Sequence, residues 1–193
     1  MKTKLFSALV FCAALTLSAQ EGNLIPHGDF EKLPAGRVNM ITSMKKSGLD
    51  INRDPVALTP GWYSKKGGAP SVQVIQAAGD KSNVASGEAA LNVKAGLLHL
   101  YTGKQFAPGT YDLSFAYKGK GRVEIALYFY NAKGKHLGTS KAKVSLSAKP
   151  EWQTYNGKIT ITAEKPETAK ARFVFIFVSS DITIDDIVLK PAK

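Results

Sequence analysis

The stretch Arg122-Val123-Glu124-Ile125-Ala126-Leu127-Tyr128-Phe129-Tyr130 decides how this chain is read. Val123, Ile125, Leu127 and Phe129 alternate with Arg122, Glu124, Ala126, Tyr128 and Tyr130. A β-strand turns successive side chains to opposite faces, so a period of two separates an apolar face from a mixed one. The apolar face belongs in a core. The other face sends two tyrosines, an arginine and a glutamate the opposite way.

The same rhythm extends in both directions. Upstream, Tyr111, Leu113, Phe115 and Tyr117 alternate with Asp112, Ser114 and Ala116. Downstream, Tyr155, Ile159 and Ile161 alternate with Asn156, Lys158, Thr160 and Thr162. Residues 171–178 are apolar on both faces, the pattern of a strand covered on both sides. Residues 71–76, 89–93 and 97–106 are weaker strand candidates, and no stretch carries an amphipathic helical period. Turn chemistry fits. Lys118-Gly119-Lys120-Gly121 joins two alternating runs, Asn131 to Lys135 reads as a type I turn with Gly134 in the left-handed position, and Pro108-Gly109 precedes a strand. Many short strands so punctuated predict an all-β fold, an antiparallel β-sandwich. The irregular stretch 32–70 breaks the rhythm, and a connection that long in a compact domain is often functional.

Residues 1–19 read as a signal peptide. Lys2 and Lys4 form a basic start, residues 5–17 an apolar run too short for an ordinary membrane span, and Ser18-Ala19 a small-residue cleavage site. The expectation is a secreted protein, extracellular or periplasmic, with residues 20–193 as a single domain and no membrane span. The one cysteine, Cys12, lies inside that leader, so neither a disulfide nor a thiolate metal site is available afterwards. The formal charge of +11 becomes +9 without Lys2 and Lys4. An exported basic protein does not meet nucleic acid routinely. An anionic polysaccharide or cell surface is the natural partner, against the plainer reading that lysines solubilise the surface and protect sheet edges.

The last strand changes phase. Ile182 and Ile184 share one face, whereas Ile187 and Leu189 share the other. The switch falls at Asp185-Asp186, where a bulge would aim one aspartate away from the regular register. Near the start, Asn23-Leu24-Ile25-Pro26-His27-Gly28-Asp29-Phe30-Glu31 is a second short apolar segment carrying acids. Pairing the two ends would gather carboxylates, which need a cation or a cage of donors.

Read in order, these segments resemble the CenC-type carbohydrate-binding modules, within the galactose-binding-like jelly rolls. The residues that carry the resemblance are Asn23 to Glu31, Gly61-Trp62, Ser86-Gly87 leading to Ala90-Leu91-Asn92-Val93, Gly109 to Phe115, Trp152 to Tyr155, and Ile184-Asp185-Asp186-Ile187. The resemblance implies a jelly roll with a structural calcium ion between the first and last strands. It implies ligands from the Asp29 carbonyl, Glu31, a residue near 86–89 and Asp185, which suits a cation that takes six to eight oxygens. Ser86 stands where many relatives place an acid, and Glu88 is the residue that could compensate. The alternative is that Glu31 and Asp185 cap backbone amides at a sheet edge.

Sugar recognition needs flat apolar faces beside fixed polar groups. Tyr128 and Tyr130, with Arg122 and Glu124, supply these on one outer sheet face. Trp62, Tyr63 and Tyr101 are further candidates, although Trp62 in a Gly-Trp pair also reads as a residue folded over the core. Trp152 reads as packing at a strand entry. His27, His99 and His136 are isolated, and there is no G-x-S-x-G, H-E-x-x-H or P-loop. The sequence therefore predicts a non-catalytic protein that binds a polysaccharide or oligosaccharide, its positive charge favouring an anionic one. The alternatives are an adhesion or structural sandwich without a sugar site and, less favoured, a polysaccharide lyase, which would need a general base and a charge neutraliser.

Overall fold

The computed structural model describes residues 22–25, 28–31, 36–37, 59–64, 71–101, 105–163 and 165–193, with only the backbone described at 36–37, 59–64, 71–72 and 95–101. The leader and most of 32–70 lie outside the described residues. Among the described residues nine strands run in chain order: β1 (Gly36–Arg37), β2 (Thr59–Ser64), β3 (Ser71–Gln76), β4 (Ala89–Tyr101), β5 (Gly109–Tyr130), β6 (His136–Thr139), β7 (Val144–Ser147), β8 (Gln153–Ile161) and β9 (Lys170–Pro191). Among the described residues the one helical element is a 3-10 turn at Lys81–Asn83. All strand pairs are antiparallel.

The hydrogen-bonded ladder is continuous, and it is folded over itself. Three long strands pass from one layer into the other. The second half of β5 pairs with the first half of β9, as in Ile125 with Phe175, and with β6 and β7 on its other side. The first half of β5 pairs with the end of β9, as in Leu113 with Leu189, and with β8. β4 follows the same division, with β2 beside its end and β3 beside its start. The result is an antiparallel β-sandwich of jelly-roll type, its corners made by strands that switch layers. We call the layer holding residues 122–130 the tyrosine layer and its partner the opposite layer.

Lys118-Gly119-Lys120-Gly121 is one of those corners, not a turn between separate strands. Gly119 and Gly121 have φ of +124° and +110°. A Cβ on Gly119 would lie 2.1 Å from the Asp181 carbonyl oxygen, and one on Gly121 2.6 Å from that of Ser179. Glycine thus lets β5 bend while its backbone stays against β9. Ser179 bends β9 at the same corner with φ +47°.

The alternation of the sequence is the core. Val123, Ile125 and Leu127 from one layer and Leu113 and Phe115 from the other are at most 1% exposed. Phe115 meets Phe175 edge-on at 5.4 Å across the two layers. Phe173, Phe175 and Phe177 are fully buried, each contributing roughly 1.5–3 kcal/mol of apolar transfer. Strand β9 runs between β4 and β5, which explains why 171–178 is apolar on both faces. No helix among the described residues is long and apolar enough to cross a membrane.

Candidate functional site

The first and last described segments do lie together. The Leu24 N–H donates to the Leu189 carbonyl at 2.8 Å, and the Ile187 N–H to that of Gly28 at 2.8 Å. The side chain of Asn23 joins them, its amide donating to the Ile187 carbonyl and its oxygen accepting from the Leu189 N–H, both at 2.9 Å. The phase change in β9 is a bulge. Asp186 has φ +51°, and the pairing with β5 shifts register between Ser114 and Ala116.

That bulge points two aspartates at the loop 84–88. Asp185 is fully buried, and its Oδ2 accepts from the Ala85 N–H at 2.9 Å and the Ser86 N–H at 3.4 Å. Its Oδ1 accepts from the Asp186 N–H at 2.8 Å. The Ser86 hydroxyl donates to Asp186 Oδ1 at 2.9 Å. From the other side Glu31 Oε1 accepts from the N–H groups of Glu88 and Ala89, at 2.9 and 3.0 Å. Burial, and next the charge of Asp186, push Asp185 up to about 8 against the pull of its backbone donors. Burial also raises Asp186, opposed by the Ser86 hydroxyl and reinforced by Asp29 and Glu31. Asp29, Glu31 and Asp185 are thus the acids that act with Asp186 at this site.

Glu31 and Asp185 thus cap backbone amides of the loop 84–89, which is the alternative to a cation site, and Asp29 reaches Asp186 through its charge. The Glu88 carboxylate is exposed and paired with Lys81, and only its backbone enters the site. Among the described residues no three acidic or histidine side chains form a ready metal cage. Backbone carbonyls would have to complete a shell around this donor set.

The tyrosine layer presents a second constellation on the side away from the core. Tyr128 and Tyr130 stand at alternate positions on β5, opposite Thr139 and His136 of β6. The His136 ring lies 5.4 Å from that of Tyr128 and 5.5 Å from that of Tyr130. Arg172, paired with Tyr128 in the ladder, holds its guanidinium 5.4 Å from the Tyr130 ring. Tyr128 is half-buried, but Tyr130 is 6% and Arg172 2% exposed. Tyr130 is thus not the open platform that alternation predicts; His136 and Arg172 pack on it. Burial raises its hydroxyl pKa, opposed by Arg172. Arg122 and Glu124 pair at 2.7 Å along the same strand.

Trp62 and Tyr63 fall in β2 and Tyr101 ends β4, opposite Thr59, but their side chains lie outside the described residues, as does His27. Trp152 does sit at a strand entry, its indole N–H donating to the Ser82 carbonyl at 3.0 Å with the Lys118 ammonium 5.0 Å from its ring. Sequence reasoning missed His136 and Arg172. His136 looked isolated because its partners come from β5. Arg172 is hidden in an apolar run, where a lone charge on a covered strand was the available signal.

No family model matches the chain, and no curated protein sequence matches it. Solved structures do. The chain matches the enzymatically active domain of tailspike protein 4 from bacteriophage CBA120 over 89% of its own length, at 12% identity and a TM-score of 0.54, spanning only 22% of that chain. It matches the CBM22-1 xylan-binding domain of Paenibacillus barcinonensis Xyn10C over 71% of its own length and 86% of that domain, at 10% identity and a TM-score of 0.50. It also matches the apo form of a Fischerella sp. cyclase over 89% of its own length and 97% of that chain, at 16% identity and a TM-score of 0.50. These likenesses show the fold, which binding domains and enzymes share.

Proposed function

We propose that the protein is a secreted, non-catalytic carbohydrate-binding module, of the CenC type in its ordered motifs. It holds a polysaccharide on the outer side of the tyrosine layer. The observation that supports this most is the group Tyr128, His136, Tyr130 and Arg172, gathered on a face that the core does not use. The half-buried Tyr128 ring offers a flat surface for the C–H edge of a sugar, and Arg122, Glu124 and Thr139 provide donors and acceptors alongside. A fold shared with a xylan-binding domain is compatible with this role.

The calcium ion belongs to the same reading. The Asp29 carbonyl and the carboxylates of Glu31 and Asp185 would be its oxygen donors where the first and last described segments meet, with Asp186 beside them in place of Glu88. The mutual repulsion of these acids supports it, because an oxygen-liganded ion relieves such repulsion. When bound, the ion neutralises that cluster. The chain's own residues fasten the loop 84–88 between the first and last segments.

One observation favours a second reading. The low exposure of Tyr130 and Arg172 also suits a structural sandwich whose aromatic cluster only packs. Affinity electrophoresis across neutral and acidic polysaccharides separates the two. Binding should appear for at least one polymer and weaken about tenfold or more in Tyr128→Ala, with the thermal midpoint nearly unchanged. Absence of binding across the whole panel overturns the glycan reading.

A further inference from the structure

Between Glu124 and Glu151 the chain contains no acid, yet it carries Lys133, Lys135, Lys141, Lys143, Lys149 and His136. Basic charge is therefore segregated along this stretch, and the structure shows where. This segment is the end of β5, the hairpin turn, β6 and β7, and β6 and β7 form the edge of the tyrosine layer among the described residues. Lys133, Lys135, Lys141 and Lys143 are all exposed.

Among the described residues, four basic side chains outside this segment meet a carboxylate. Lys94 pairs with Asp181 at 3.2 Å, Lys158 with Asp112 at 2.7 Å, Lys81 with Glu88, and Arg122 with Glu124. No carboxylate among the described residues pairs with Lys133, Lys135 or Lys141. Lys165 reaches the same edge, its ammonium donating to the Leu137 carbonyl at 2.9 Å, with Glu167 as the acid of that turn. Edge protection is an incomplete account of these lysines. The strands His136–Thr139 and Val144–Ser147 contain no lysine; the charges flank them in the connections.

Placement ties this edge to the aromatic group. Lys135 precedes His136, whose ring touches both tyrosines, and Lys141 follows by two the residue paired with Tyr128. We infer that the ligand of the Tyr128 face is a polyanionic polysaccharide, whose carboxylate or sulfate groups lie along the Lys133–Lys135–Lys141 edge while a sugar ring stacks on Tyr128. This rests on the glycan reading above and specifies the class of glycan. Exposed charges around a partly desolvated ring attract an anionic polymer over a Debye length of about 8 Å, and salt weakens that attraction.

The test uses the full mature chain and four probes: polygalacturonate, the same polymer after carboxyl reduction, a sulfated galactan and its desulfated form. Affinities are read by titration calorimetry at low and high salt, about 20 and 300 mM. A charged polymer should bind about tenfold or more tightly than its neutral form at low salt, with the gap closing at high salt. Which charged polymer leads distinguishes carboxylate from sulfate. The triple variant Lys133→Gln/Lys135→Gln/Lys141→Gln, at exposed positions that leave folding intact, should erase the preference and keep binding to the neutral form. Tyr128→Ala should weaken both forms. Equal affinity for charged and neutral polymers, or a triple variant that behaves as the parent, overturns the anionic inference while the glycan reading stands. Polyanion binding indifferent to Tyr128→Ala separates the basic edge from the tyrosine and also overturns it. Silence toward all four probes overturns the anionic inference, and silence extending to the wider polysaccharide panel overturns both proposals.

Discussion

Replacing Gly119 by alanine tests the corner on which the two-layer arrangement depends. A Cβ there would sit 2.1 Å from the Asp181 carbonyl oxygen and 3.1 Å from the Ile182 Cα, both backbone atoms of β9. Ordinary contacts need about 3.5 Å, so β5 and β9 must part by roughly an ångström. Parting them disrupts the β5–β9 ladder where Gly119 faces Ile182, at a cost of about 1 kcal/mol. Holding a side chain at φ +124° adds about 1–3 kcal/mol. With the steric displacement the total is roughly 3–6 kcal/mol, a large share of the 5–15 kcal/mol that typically holds a domain together. Gly134→Ala is the control. Its φ is +78°, but nothing lies within 4 Å of the added Cβ, so only the backbone cost of about 1–2 kcal/mol applies. Urea unfolding reads the difference. With a slope of about 2 kcal/mol/M the midpoints should separate by about 1–2 M. Equal midpoints for the two variants would show that the close approach of β5 to β9 is not what requires glycine at 119.

Three further outcomes follow from the core and the acid cluster. Phe175→Ala removes a fully buried ring that bridges the layers and should cost about 3–5 kcal/mol in denaturant titration; a loss under 1 kcal/mol would contradict the packing. In chelator, Asp185 should set the pH dependence of stability. Its pKa is raised from 3.8 to about 8 on folding, so its contribution is complete below 3.8 and is lost as pH rises through about 8. The thermal midpoint should therefore fall over that window and flatten in Asp185→Asn; a midpoint that rises with pH equally in both proteins refutes the assignment. Calcium at about one hundred times its dissociation constant should stabilise by about 2.7 kcal/mol, roughly 5–11 °C for a chain of this size, and Glu31→Gln/Asp185→Asn should abolish that gain. An unchanged wild-type midpoint in millimolar calcium rules the ion out.

The layers were legible because alternation is a local signal. Every second residue from Tyr111 to Tyr117 and from Val123 to Phe129 went inward, and the Asp185 phase switch marked the bulge. The sheet corner was not legible, because Gly119 and Gly121 look alike whether a strand turns back or bends over an edge. Only the ladder to β9 distinguishes the cases. Strands β6 and β7, four residues each, are too short to establish a period. The approach of Glu31 and Asp185 to the loop 84–89 was readable from ordered motifs. The diversion of Glu88 to Lys81 depends on a contact across the loop, which spacing does not encode. His136 and Arg172 reach Tyr130 from neighbouring strands, and single-strand reading cannot see lateral neighbours.

Arg172 is where stability and function separate. The interior side of the tyrosine layer is filled by Phe173, Phe175 and Phe177, so the face that Arg172 occupies is not needed to close the core. A nearly inaccessible guanidinium carries a desolvation cost that an apolar side chain of similar length avoids. Arg172→Met keeps much of the unbranched bulk against Tyr130 while removing the charge. If Arg172 serves the fold, the thermal midpoint and glycan affinity fall together. If it serves the ligand, affinity falls and the midpoint holds or rises. The reading of the Tyr128 face stands on Tyr128 itself; at 2% exposure Arg172 acts through Tyr130, and a fall in affinity at an unchanged midpoint would show that it positions that face for the ligand. A midpoint lowered by more than a few degrees, with Tyr128→Ala also failing to weaken binding, would return the whole aromatic group to a packing role.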